Sequence, residues 1–241
     1  MRAIYLKELR SYFSSITGYL VISIFLMVTS LFLFVFDGEF NILNYGFADL
    51  SPFFLLVPWL FIFLIPAVTM RSFTMERNLG TLEMIFTRPI SFRSIVAGKY
   101  LASITLIIIT LIPTLLYVFT IGQLGEITNN LDLGSTMGSY LGVLLLVLCY
   151  AAIGIFCSSV TSNQIIAFLL AAILCFIMYF GFEGFSTVID NDGLSFLGLK
   201  YHYESMARGV IDTRDVIYFL SVAVLFFALS EMSLKLITQK Q

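Results

Sequence analysis

Long apolar runs alternate with short polar segments along this chain of 241 residues. A helix needs about 20 mostly apolar residues to cross the hydrocarbon core of a bilayer, and six runs approach or reach that length. They are Gly18–Phe36, Phe53–Met70, Leu101–Gly122, Tyr140–Val160, Ile165–Phe182 and Val216–Ile237. The pattern predicts an all-α polytopic membrane protein with six transmembrane helices.

Composition supports the same class. Apolar residues make up 59% of the chain and charged residues only 12%, about half the charge of an ordinary soluble domain. The net charge of −2 gives no reason to expect a nucleic-acid partner. All three cysteines fall within apolar runs, where they are typical of small buried hydrophobic side chains.

The first sixteen residues mix apolar and charged positions in a way that favours a helix lying in the membrane interface. Ile4, Leu9 and Phe13 alternate there with Lys7 and Arg10. A plain juxtamembrane tail is the alternative. The apolar run that follows is longer than the h-region of about 7–15 residues in a signal peptide, so we expect it to be retained. This divides the chain into an interfacial helix, 1–16, and a transmembrane domain, 17–241.

The distribution of basic residues predicts the orientation. With the N-terminus inside, ten lysines and arginines face the cytoplasm and three face outward, so both termini are expected in the cytoplasm. The ten are Arg2, Lys7, Arg10, Arg71, Arg77, Arg88, Arg93, Lys99, Lys235 and Lys240, and the three are Lys200, Arg208 and Arg214. The longest loops are then 71–100 inside and 183–215 outside.

Catalytic motifs are missing from the sequence. A P-loop would need a second glycine followed by Lys and Ser or Thr, but Gly98-Lys99 precedes Tyr100 and Arg93 occupies the place of the first glycine. The lone histidine, His202, is more typical of a structural role than of a metal site or a catalytic centre. We therefore expect no catalytic, metal or cofactor residues, and a chain that is not an enzyme.

Charges are also rare within the spans, whereas ion-coupled carriers usually place them there. Glu231 and Lys235, near the inner end of the last span, are spaced for an i,i+4 pair. Prolines at 58, 66 and 113 are expected to kink their helices.

The inner loop 71–100 carries its own helical pattern. Leu82, Ile85 and Phe86 recur at the spacing of one helix face; Gly80 precedes them and Pro89 follows. Ser91 is then a suitable cap for a helix that leads into the third span. Such a segment would lie across the inner membrane surface, where its apolar face fits a partner's cleft. A solvated linker without a partner fits the spacing equally well.

Three segments resemble the permeases of type-2 ABC transporters (ABC-2), and together they cover essentially the whole chain. The first is Met75–Glu83 with Thr87–Ser91 and Gly98–Tyr100, the second is Tyr201–Asp212 with Asp215–Tyr218, and the third is Tyr5–Phe13. Within that family the pattern is most similar to the gliding-motility-associated permease subunit of Bacteroidetes-type bacteria. The copper-related permease of nitrous-oxide-reductase maturation is a near neighbour.

The resemblance implies a role for each segment. Gly80–Arg88 would be a coupling helix seated in an ATPase, 1–16 a connecting helix that touches the same ATPase, and Leu194–Asp212 a re-entrant external gate. The coupling residues would be Glu76, Gly80, Thr81, Leu82, Glu83, Ile85, Phe86 and Arg88. The connecting helix would contribute Lys7, Glu8 and Arg10, and the external gate Tyr201, His202, Glu204, Arg208 and Asp212.

The resemblance also implies partners and a location. Two copies of a separately encoded ABC ATPase would drive this chain, without a cofactor of its own, to export or flip a substrate across the bacterial inner membrane. A second permease subunit, identical or homologous, would complete the route. Two other classes remain open on the residues alone: a channel or secondary carrier that acts by itself, and a membrane scaffold of a motility or secretion machine.

Overall fold

A computed structural model describes residues 1–44, 49–82, 90–124, 132–190, 192–209 and 211–239. In these ranges the ordered elements are all helical. The α-helices are α1 (Arg2–Ser14), α2 (Ile16–Phe34), α3 (Ser51–Thr69), α4 (Arg71–Asn78), α5 (Phe92–Leu111), α6 (Leu115–Leu124), α7 (Leu133–Val160), α8 (Gln164–Phe176), α9 (Phe182–Ile189), α10 (Leu199–Ala207) and α11 (Thr213–Gln239).

Three short irregular helices connect some of these elements. A 3₁₀ turn at Ile112–Thr114 joins α5 to α6 around Pro113, and a π-helical turn at Ile177–Gly181 joins α8 to α9. A second 3₁₀ segment, Asp192–Leu197, precedes α10. The other two predicted kink positions, Pro58 and Pro66, lie inside α3.

Six stretches of the described chain are long and apolar enough to cross a membrane, which confirms the predicted all-α, six-span class. All but the first are longer than the sequence pattern indicated. The second continues to Asn78, the third begins at Phe92, the fourth begins at Leu133, the fifth runs on to Ile189, and the sixth is extended at both ends. The predicted outer loop 183–215 therefore begins with two turns of helix that extend the fifth span.

Side-chain caps explain several helix starts. Ser91 caps α5, as predicted, and its Oγ accepts a hydrogen bond of 3.4 Å from the amide of Ser94. Asp132 caps α7 and Asn163 caps α8, each through its Oδ1. Such caps satisfy amide groups that have no partner within the helix. Ser15, in an extended conformation, separates α1 from α2.

Helix α7 is the centre of the bundle. Within its most apolar stretch 78% of the residues are buried, against 28% for the first, fifth and sixth spans. It packs against α3, α5, α8, α10 and α11. Val143, Leu146 and Tyr150 on this helix are fully buried. The other spans surround α7 and expose apolar side chains outward, as expected for helices in lipid.

Candidate functional site

Four charged side chains meet where α1, α4 and α5 come together, at the end of the bundle that carries the 71–100 loop. We call Lys7, Glu8, Glu76 and Lys99 the charge cluster. Lys99 Nζ lies 2.8 Å from Glu8 Oε1 and 2.9 Å from Glu76 Oε2, and Lys7 Nζ lies 2.9 Å from Glu76 Oε1. The cluster thus links three helices through two lysines and two glutamates.

Lys99 is the buried member of the charge cluster. Only 2% of this residue is exposed, its Nζ donates a third contact of 2.6 Å to the carbonyl of Ser72, and it lies 5.1 Å from the centre of the Phe73 ring. A buried ammonium needs such partners, because removing one side of a buried ion pair costs about 3–5 kcal/mol. The two lysines balance the two glutamates, so the charge cluster is neutral as a whole.

Close packing of α1 on α5 makes these distances possible. A Cβ atom at Gly98 would lie 2.9 Å from Ile4 Cγ2 and 3.2 Å from the amide nitrogen of Tyr5, so only glycine lets the two helices approach this far. Along the same contact Tyr5 Oη lies 3.2 Å from Thr105 Oγ1 and Tyr12 Oη lies 3.3 Å from Ser103 Oγ. The N-terminal helix is therefore held to the third span.

Two titratable groups on α1, Lys7 and Tyr12, keep their usual charge states at neutral pH. Burial lowers the pKa of Lys7, but the hydrogen bond and charge of Glu76, with the charge of Glu8, outweigh this effect and leave the pKa above its ordinary value. Burial raises the pKa of Tyr12 to about 12. At neutral pH Lys7 is thus a cation and Tyr12 a neutral hydrogen-bonding group.

A cleft of about 460 Å³ opens beside the charge cluster, between α1 and α4. Its lining includes Ser11, Ser15, Arg71 and Thr81 as well as the four charged residues. Arg10, the remaining residue expected in the connecting helix, is exposed on the surface of α1.

The start of the predicted coupling helix is anchored to the chain itself. Helix α4 ends with a turn at Gly80, whose φ of +65° suits glycine. Thr81 Oγ1 donates a 3.3 Å hydrogen bond to the carbonyl of Glu76. Leu82 is 4% exposed and packs with Phe73, Ile95, Val96, Ile155 and Leu234.

Leu82 and Glu76 were expected to take part in ATPase coupling, which stays a prediction. In the structure Leu82 packs in the chain's own core and Glu76 belongs to the charge cluster. The predicted residues Glu83, Ile85, Phe86 and Arg88 lie outside the described residues.

A second ion-pair group joins α5 to α11 at the same end of the bundle. Glu231 Oε1 lies 2.7 Å from Lys235 Nζ, in the predicted i,i+4 pairing, and Glu231 Oε2 lies 2.9 Å from Arg93 Nε. The second contact spans 138 positions of sequence, and nothing in the local pattern indicates it.

At the opposite end, Asp192–Ala207 folds over the bundle, and we call this segment the cap. Ser135 Oγ on α7 donates a 2.8 Å hydrogen bond to the carbonyl of Ala207 at the end of α10. His202, an expected gate residue, is buried against Asp215, with Nδ1 and Oδ1 2.7 Å apart. Asp215 was not among the expected gate residues, although it lies in the motif that resembles the permease family.

The other expected gate residues are spread around the cap. Tyr201 and Glu204 are exposed, and Glu204 lies 3.7 Å from Lys200. Arg208 and Glu204 line a pocket of about 320 Å³ between α3, α7 and α10. Asp212 accepts a 2.9 Å hydrogen bond from the amide of Arg214 and so caps α11. The structure therefore brings Glu204 and Arg208 to one pocket, while His202 and Asp212 make separate contacts with α11.

Among the described residues, no three His, Cys, Asp or Glu side chains lie together in a group that could hold a metal ion. Cys149, Cys157 and Cys175 are buried free thiols.

Residues 3–235 match the family model described as ABC-2 family transporter protein. This match covers α1, the charge cluster, the cap and nearly all of α11. A search among curated proteins found no match.

Proposed function

We propose that this chain, which belongs to the ABC-2 transporter family, is the permease subunit that two copies of a separately encoded ATPase drive to move a substrate across the bacterial inner membrane. The family assigns the chain to the membrane component of an ABC transporter. We further propose that the substrate is exported or flipped, and that this transport is linked to gliding motility.

The charge cluster is the observation that carries this proposal. An ATPase that binds the 71–100 loop must pass its movement to the spans, and the cluster connects that loop to two other helices. Glu76 belongs to α4, which continues the second span; Lys99 belongs to the third span; Lys7 and Glu8 belong to α1. A displacement of α4 would therefore move α1 and α5 with it.

Anchoring at Leu82 refines the role of the coupling segment. Because Leu82 is packed in the chain's own core, we assign partner contact to the residues after it, with Ile85 and Phe86 as apolar contacts and Glu83 and Arg88 as polar ones. In this proposal α1 is the connecting helix and offers exposed Arg10 to the same ATPase.

Transport then follows from two packings of the membrane domain that differ by a few kcal/mol, a difference that nucleotide binding can bias. ATP closes the two ATPase subunits, the coupling segments follow them, and two six-helix bundles rock against each other. The second bundle is an identical or homologous permease. The sparsely buried first and fifth spans offer apolar surface for it, and the cap covers the far side of the route.

Co-purification with the ABC ATPase encoded nearest to this chain, followed by an ATPase assay in lipid, tests the proposal. We expect a stable complex that Phe86→Asp dissociates. Phe196→Asp is the matched control, since Phe196 is 51% exposed at the opposite end of the molecule and its replacement should leave the complex intact. Absence of a complex with the native chain, together with solute conduction by that chain alone in vesicles, would contradict the proposal.

A further inference from the structure

The buried contact between the cap and α11 has an unusual hydrogen-bond pattern. His202 is the single histidine of the chain. Its Nδ1 lies 2.7 Å from Asp215 Oδ1 and its Nε2 lies 2.9 Å from the carbonyl oxygen of Phe196. His202 and Asp215 are 9% and 5% exposed. Both ring nitrogens therefore face oxygen atoms in a nearly dry site.

The number of protons on the His202 ring follows from whether each neighbouring group donates or accepts hydrogen bonds. A carbonyl oxygen only accepts hydrogen bonds, so Nε2 must carry a proton. Neutral imidazole has one N–H, so Nδ1 would then present a lone pair to a carboxylate that is also an acceptor. Two acceptors 2.7 Å apart repel each other. One further proton between Nδ1 and Oδ1 converts this repulsion into a hydrogen bond.

The surroundings favour placing that proton on the ring. Asp215 lies in the first turn of α11, where the helix dipole stabilises a carboxylate. Among the described residues His202 is its single ion-pair partner, and Asp215 Oδ2 has no hydrogen-bond partner there. A buried carboxylate without a cation is costly. The His202 ring also stacks on Tyr218, with centres 4.0 Å apart and planes 24° apart, a geometry that suits a cation.

Other ionisable groups on the packed elements do not supply an alternative cation. Lys200 on α10 is already engaged by Glu183 of α9 at 2.7 Å and by Glu204 at 3.7 Å, so this trio carries a net negative charge. Two further described cations lie on or beside these helices at this end of the molecule, Arg214 on α11 and Arg208 at the end of α10, and neither is within ion-pair distance of Asp215. The phenols Tyr179, Tyr201, Tyr203 and Tyr218 also lie on adjoining elements. The charge that faces the ring is therefore the carboxylate of Asp215, which favours a cationic imidazole.

We infer that His202 and Asp215 form a proton-binding site that fastens the cap to α11, with the bound proton completing the Nδ1–Oδ1 hydrogen bond. Loss of the proton leaves two facing acceptors and loosens α10. We call this contact between His202 and Asp215 the latch; it is closed at lower pH and opens as pH rises. This site is independent of the ATPase proposal, because its evidence and its readout lie at the opposite end of the molecule.

Nuclear magnetic resonance can count the protons on the two ring nitrogens of His202. The sample is the intact chain in lipid nanodiscs, with ¹⁵N-labelled histidine and a purification tag free of histidine. In the native chain we expect protons on both ring nitrogens, because each nitrogen faces an oxygen atom. In Asp215→Asn the amide can donate to Nδ1, so the extra proton is no longer required and the ring should carry one proton at the same pH. A ring with one proton in the native chain overturns the proposal, even if the variant does not fold.

Hydrogen exchange of α10 tests the latch itself. Relative to the amides of α5, protection of α10 should fall as pH is raised in the native chain. Asp190→Asn is the control, since it removes an exposed acid at the same end of the molecule that belongs to none of these contacts and should keep that dependence. Protection that does not change with pH in the native chain would refute the latch.

Discussion

Tyr203 Oη donates a 2.8 Å hydrogen bond to the carbonyl oxygen of Phe54. Pro58 stands four residues after Phe54 in α3 and has no N–H, so it cannot supply the helical hydrogen bond that this carbonyl would otherwise receive. The phenol of the cap thus satisfies a backbone group that a proline in the second span leaves without its donor. This contact ties the cap to the irregular part of α3.

Tyr203→Phe should destabilise the protein by about 1–3 kcal/mol, the usual cost of leaving a buried acceptor unsatisfied. Tyr203 is 2% exposed, so water cannot readily replace its hydroxyl group. Thermal unfolding in detergent measures the change. Tyr201→Phe, on an exposed position two residues earlier, should be close to neutral, and equal effects of the two variants would argue against the bond.

Lys99→Met should be among the most damaging single changes at the other end of the bundle. It removes the buried ammonium that Glu8 and Glu76 share and leaves Lys7 as the one cation of the charge cluster, at a cost of about 3–5 kcal/mol. Lys235→Met provides the comparison, since the Lys235 side chain is 52% exposed and exposed pairs contribute about 0–1 kcal/mol.

If a second substitution restores part of the stability lost in Lys99→Met, this supports the claim that the charge cluster is stabilised by its neutrality. Because Lys7 still pairs with Glu76, Lys99→Met leaves the charge cluster with one uncompensated negative charge. Adding Glu76→Gln removes that charge and should restore part of the lost melting temperature. A double variant less stable than Lys99→Met alone would contradict this account of the charge cluster.

Gly98→Ala should lift α1 from α5 because the new methyl group meets Ile4 and the backbone of Tyr5. We expect the membrane domain to remain folded but nucleotide-dependent coupling to an ATPase partner to weaken, as measured by ATPase activity in lipid. Ile4→Ala in the same chain should recover part of the effect. Gly184→Ala is the control, since nothing lies within 4 Å of a Cβ atom there.

Local patterns predicted much of this fold. Six spans follow from apolar run length, the start of α5 from Ser91, and the Glu231–Lys235 pair from helical spacing. Each of these features depends on residues that are close in sequence. The span ends were less accurate, because α3–α4 and α8–α9 continue as helices through polar positions.

The contacts that define the candidate site were not predictable in the same way. Glu8 and Lys99 are 91 residues apart, and their meeting depends on how α1 packs at Gly98. Periodicity alone placed Leu82 on an apolar face but could not decide whether that face meets a partner or the chain's own core. His202 and Asp215 come together because the cap folds back on α11.

The second span and α4 together form a helical stretch of 28 residues, Ser51–Asn78. At about 1.5 Å per residue its length is about 42 Å, about 12 Å more than a hydrocarbon core of about 30 Å. A stretch of this length can place about two turns of helix beyond the lipid. A soluble partner could bind such an end without entering the membrane, and a small lateral displacement there would tilt the whole span.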